Sequence, residues 1–170
     1  ARDELMISMR FLDRALFRMP LVAADSVAAF GVDGATMYYN PEYVLHAFKR
    51  EKNACTRAFL HMILHCIFSH PFQYEKLDRE CWDLATDLAV EQSILDLNLK
   101  CVELERDASL KRTLSHLAQK VPILTAEKIY RWLYENPEES AEFFREEPQF
   151  MWDDHLKWIP LKENEAGERR

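Results

Sequence analysis

Apolar and polar positions along the chain alternate mostly with a helical period. Leu5, Met6, Met9, Leu12, Leu16 and Met19 share one face, with Arg10, Asp13, Arg14 and Arg18 opposite. This spacing predicts an amphipathic helix over Leu5–Met19, stopped by Pro20. The strand signal lies just beyond. Ser26–Val32 and Ala35–Tyr39 flank Asp33-Gly34, the sequence of a tight hairpin, and Leu21–Ala24 could add a third strand. Asn40-Pro41 opens a short helix, Glu42–Phe48, because proline is tolerated at the first helical position. Lys52–Ser69 follows, apolar on every side and ended by Pro71, so it reads as a buried helix. Phe72–Lys76 turns the chain into Asp78–Leu97, and further helices are predicted over Ser109–Gln119, Thr125–Glu135 and Ser140–Glu147.

The pattern gives an α+β fold, mostly helical, with a small β-hairpin sheet beside a buried helix. Residues 1–160 read as one domain, and the charged stretch 161–170 as a disordered tail. At 170 residues the chain can bury roughly 70% of its unfolded surface. Three glycines and seven prolines suit helices better than a sandwich or barrel. A net charge of −7 without a basic stripe argues against nucleic-acid binding. No apolar run reaches the ~20 residues that span a bilayer, and Ala1–Leu5 has no signal-peptide pattern. The four cysteines, Cys55, Cys66, Cys81 and Cys101, form no Cys-x-x-Cys pair and read as buried free thiols, which suits a cytoplasmic protein.

The buried helix carries the candidate chemistry. Three of the six histidines, His61, His65 and His70, fall within ten residues there. A single histidine on an apolar face is usually a hydrogen-bonded core residue. Two of them four apart stack on one face, with the geometry a zinc ion requires. The next helix carries Asp83, Asp87 and Glu91 at i, i+4 and i+8. Asp87 lies mid-helix between Leu84 and Leu88, where an unpaired charge would be costly. It is therefore the candidate third ligand. Asp83 and Glu91 would support it from a turn away or face solvent, and for Glu91 a solvated position is the plainer expectation. His70 is the runner-up: continued helix would carry it ~140° around the axis from His65, so it reaches a metal only if the helix breaks at Ser69–Pro71.

His61-Met-Ile-Leu-His65 is similar to the His-Glu-x-x-His motif of zincin metallopeptidases. Around it stand Met37-Tyr-Tyr-Asn-Pro-Glu-Tyr43, His61-x-x-x-His65-x-x-x-x-His70, Trp82-Asp-Leu-Ala-Thr-Asp87, Ala126-Glu-Lys-Ile-Tyr130, and Asp154-His155 with Trp158. Together these resemble the bacterial metallopeptidase domain that precedes a von Willebrand A-like domain, over most of residues 1–158. The resemblance implies a zincin-like fold and a divalent metal such as zinc, with His61 and His65 as ligands and Asp87 as the third. It also implies a MoxR-type AAA+ ATPase as a partner. Met62 departs from the pattern. It stands where such enzymes carry the glutamate that takes a proton from the attacking water, a contribution of ~10²–10⁴-fold.

Three functions are therefore open. One is a metal-binding domain with impaired or absent peptidase activity, a pseudoenzyme. Another is a metal-free interaction module, docking through the acidic surface or through Trp152, His155 and Trp158 at i, i+3 and i+6. The third is a peptidase acting on peptides or proteins with a non-standard base such as Asp83 or His70.

Overall fold

A computed structural model describes residues 1–12, 17–73, 77–153 and 155–158. Within them lie seven α-helices: α1 (Arg2–Ser8), α2 (Pro41–Arg50), α3 (Ala54–Ile67), α4 (Arg79–Leu97), α5 (Asp107–Lys120), α6 (Ala126–Glu135) and α7 (Pro137–Glu146). Three strands, β1 (Leu21–Ala23), β2 (Phe30–Val32) and β3 (Met37–Tyr39), make one sheet of order β1-β3-β2. The fold is mostly helical with a small sheet, as the pattern predicts. Among the described residues no helix is long and apolar enough to cross a membrane.

The Asp33-Gly34 turn forms for a local reason. Asp33 Oδ1 accepts hydrogen bonds from the Ala35 and Thr36 amides at 2.9 and 2.7 Å, while Gly34 takes φ +91°. β2 and β3 pair antiparallel on either side of it, with Val32 opposite Met37. The optional strand also forms, and β1 pairs parallel to β3 with Leu21 opposite Met37. Asn40 then caps α2, its Oδ1 accepting from the Glu42 and Tyr43 amides, and Pro41 takes the first helical position.

The first helix is shorter than expected. It ends at Ser8, Met9 leaves the helical region with φ −139°, and a 3-10 turn follows at Arg10–Leu12. The Ser8 hydroxyl donates to the Glu4 carbonyl at 3.0 Å, a back-bond that competes with the helical ladder. Residues 13–16 lie outside the described residues, as do Asp154 and the tail 161–170. The last helix starts earlier than expected, at Pro137, which again occupies a first helical position.

Among the described residues two hydrophobic clusters make up the interior. One joins α1, the sheet, α2, α3 and the later part of α4 through residues such as Leu5, Val32, Met37, Leu60, Ile63, Val90 and Ile94. The other joins α4 to α5, α6 and α7 through Trp82, Leu88, Leu114, Ile129 and Phe143. α3 and α4 meet along the boundary between them. The four cysteines are free thiols, half-buried rather than fully buried.

Candidate metal centre

The boundary between the clusters is polar by design of the two helices. On α3, Arg57, His61 and His65 recur at i, i+4 and i+8, so one stripe of an otherwise apolar helix carries nitrogen. On α4, Asp83, Asp87 and Glu91 repeat the same spacing with carboxylates. The two stripes face each other with the helices running in opposite directions. Arg57 meets Glu91, His61 meets Glu91 and Asp87, and His65 meets Asp87.

At the middle of this seam four side-chain atoms converge. His61 Nε2 lies 2.8 Å from His65 Nε2 and 3.2 Å from Asp87 Oδ1. His65 Nε2 is also 3.2 Å from Asp87 Oδ1. Asp153 adds Oδ1 at 3.5 Å from His61 Nε2 and 4.0 Å from His65 Nε2. All four side chains are buried, and their donor atoms lie within 4.8 Å of one another. Asp153 arrives from the far end of the chain because its backbone bridges to Phe30 at the outer edge of β2.

The chemistry of this group fits a divalent ion. Zinc bonds of ~2.0–2.1 Å in a tetrahedron place neighbouring ligand atoms about 3.3–3.4 Å apart, and the observed separations of 2.8–4.0 Å bracket that edge. Both oxygens of Asp153 are buried without a hydrogen bond. An ionised carboxylate left so would be costly. The outer nitrogens are also held. His61 Nδ1 lies 2.8 Å from Glu91 Oε1, and with the carboxylate as acceptor the ring donates outward and turns its Nε2 lone pair to the centre. His65 Nδ1 contacts His70 Nδ1 at 3.1 Å. His70 therefore touches the back of His65 and not the centre. The helix does break where expected, Ser69 adopting φ 61° ahead of a 3-10 turn at His70–Phe72. The break turns His70 onto His65 and under Trp82, whose Nε1 donates to the His70 carbonyl.

Glu91 corrects the expectation of a solvated position. It is wholly buried, and Arg57 grips it with Nη2 at 2.6 Å from Oε2 and Nε at 3.2 Å. Arg57 Nη1 also donates to the Val102 carbonyl at 3.1 Å. Arg57→Met should therefore lower unfolding stability by about 3–5 kcal/mol, because it strands a buried carboxylate. Urea denaturation measures this. The double variant Arg57→Met with Glu91→Leu should lose less than Arg57→Met alone.

Protonation follows the same contacts. Burial disfavours a charge on His61, yet the hydrogen bonds and charges of Asp87 and Glu91 outweigh it and raise the ring to about 9 from the ordinary 6.5. Burial and the neighbouring His61 charge push His65 down. Burial also opposes the charge on Asp87, but His155, His61 and His65 together hold it well below the usual carboxylate range. Without metal, then, a protonated His61 holds the site together. A raised folded value gives stability that is present in full below about pH 6.5 and lost as pH rises toward about 9. The metal-free chain should show a melting temperature that falls across that window. Zinc should abolish the fall, since the ion takes the place of the proton. Thermal melts in chelator and in zinc, from pH 6 to 9, test this.

A cavity of about 500 Å³ opens beside the centre onto Asp87, Asp153 and His155, with Tyr43, Glu147 and Trp152 among its walls. Burial, with the charges of Asp87 and Asp83, lifts the Glu147 carboxyl above its usual range. Met62 is buried in the hydrophobic cluster around α3. The expected docking face is not free: Trp152, His155 and Trp158 are all buried, and Asp83 with His155 belongs to the surroundings of the centre. The residues that sequence reasoning passed over are Arg57, Asp153 and Glu147. Arg57 had a signal, as the one cation in the polar stripe of a buried helix. Asp153 and Glu147 had none, because only the tertiary fold brings the chain's end back to α3 and α4.

A small helical domain with a buried histidine–carboxylate group that could bind a metal is the class defined by this fold and site. The chain belongs to the family described as "Putative metallopeptidase domain", which matches residues 1–156. No curated protein and no solved structure is detectably similar to it.

Proposed function

We propose that this chain binds a divalent ion, zinc by its donor chemistry, through His61, His65 and Asp87 with Asp153 as the fourth donor, and that its peptidase activity is strongly reduced. The convergence of four buried donor atoms within 4.8 Å carries this reading. Two imidazoles and two carboxylates suit zinc. When bound, such an ion supplies Lewis-acid polarisation. The chain's own part would be to orient the ligands, through Glu91 and Arg57 behind His61 and His70 behind His65.

Met62 supports the reduced activity. Hydrolysis needs a group beside the ion that accepts a proton, and a thioether cannot do so. The position is held by packing instead of charge.

Metal analysis tests the reading. The purified chain should carry about one equivalent of zinc, chelator should lower its melting temperature, and added zinc should restore it. At free zinc 100 times the dissociation constant, the gain is about 2.7 kcal/mol. A chain that purifies without metal, and whose melting ignores both chelator and zinc, would sink the proposal.

A further inference from the structure

His155 stands at the same centre without being one of the four donors. It lies in the 3-10 turn His155–Trp158 and its ring is almost wholly buried. Nε2 is 3.2 Å from Asp87 Oδ1 and 3.4 Å from Asp153 Oδ1. On the other side of the ring, Nδ1 is 3.0 Å from Asp83 Oδ1. The ring is stacked on Trp158 at 3.8 Å, and Trp158 in turn lies 4.9 Å from the His65 ring.

Despite these short distances, His155 Nε2 and both oxygens of Asp153 make no hydrogen bond, although their residues line the cavity beside the centre. The atoms are near one another but not aimed at one another. An imidazolium that merely neutralised two carboxylates would turn its N–H toward one of them, at a gain of about 1.5–3 kcal/mol for a charged hydrogen bond. The separations of His155 Nε2 from the two carboxylate oxygens are those of neighbouring ligands on one ion, although it stands outside the four donors that lie within 4.8 Å of one another. Asp83 Oδ1 lies close behind Nδ1, the position of the carboxylates that commonly orient metal-bound imidazoles, but it too makes no hydrogen bond here.

We propose that His155 is a metal ligand, the third imidazole of the centre and a fifth donor beside the four, so that the ion fastens the chain segment Trp152–Trp158 onto α3 and α4. This rests on the proposal that a divalent ion is bound there. The segment then has two anchors in one centre, Asp153 and His155. The ion would tie the last described turn to helices formed much earlier in the chain.

Zinc-edge X-ray absorption on the zinc-loaded, unmutated chain reads the number of coordinated imidazoles directly. Three are expected, and two would overturn the proposal while leaving the zinc site itself intact. In competition titrations His155→Ala should bind zinc roughly 10²–10³-fold more weakly, one ligand's share of a structural zinc site. An affinity within threefold of the parent would also overturn it. Zinc should slow tryptic cleavage after Lys157 in the parent and leave it unchanged in His155→Ala. Equal protection of both would count against the proposal. A parent chain that binds no zinc removes the metal centre altogether, an outcome distinct from a centre with only two imidazoles.

Discussion

His65→Ala should weaken zinc binding by roughly 10²–10³-fold. Apparent zinc binding in four-ligand structural sites is worth about 10–16 kcal/mol near neutral pH. An even share among four ligands is about 2.5–4 kcal/mol, and each 1.4 kcal/mol is a factor of ten. His65 is the cleanest ligand to remove. Its ring is pushed toward the neutral form, so its loss does not strand a charge partner as the loss of His61 would strand Glu91. Removing the ring also opens a cavity, and that cost falls equally on metal-free and metal-loaded protein. The difference between the two melting temperatures is therefore the informative quantity. It should be large in the parent and close to zero in His65→Ala. An undiminished zinc-dependent rise in the variant would remove His65 from the centre.

Met62→Glu should raise peptide hydrolysis by about 10²–10⁴-fold over the zinc-loaded parent, the usual contribution of a positioned acid–base group. The same change sets a carboxylate where a thioether is now packed almost completely out of solvent. A drop in metal-free stability should accompany the gain, since a buried charge without a partner is costly. The two readouts separate the causes. Higher turnover with lower stability places the new carboxylate at the centre. Lower stability with unchanged turnover would mean that position 62 faces only the core, and the reduced activity would then need another explanation. A peptide-library assay with added zinc, run beside a chemical denaturation curve, covers both.

The legible part of the centre was the part written in a helical period. His61 with His65, and Asp83, Asp87 and Glu91, repeat every four residues, and local geometry alone puts each set on one face. The facing of the two sets was also within reach, because a buried helix with polar atoms must satisfy them on a neighbour. Two things were not legible. Glu91 looked like a solvent-facing carboxylate until Arg57 was seen to reach it, since pairing across helices depends on their relative height. Asp153 and His155 lie in a short segment with no period to place them. Its position is fixed by the bridge to Phe30 and the contact of Trp158 with the His65 ring, which join distant parts of the chain. For the fold, the hairpin was readable from Asp33-Gly34. The early end of α1 was not, because the apolar period continues past Ser8 while the backbone leaves the helix at Met9.

The two hydrophobic clusters meet at a seam of charge, and this has a bearing on how the molecule unfolds. Apolar contact makes neighbouring parts of a protein melt together, and here α3 and α4 meet both through Val90 and Ile94 and through the charged seam of Arg57, His61, Asp87 and Glu91. The half built on the sheet and the half built on α5 to α7 share α4, whose Val90 and Ile94 pack with α3, and the charged seam and a metal ion would add an electrostatic link to that apolar one. Stripped of metal at alkaline pH, the halves should lose the electrostatic part of their coupling and unfold less cooperatively. Calorimetry would show this as a broadened or divided transition that zinc sharpens into one. The centre would then act as the clasp that makes two small cores behave as a single cooperative unit.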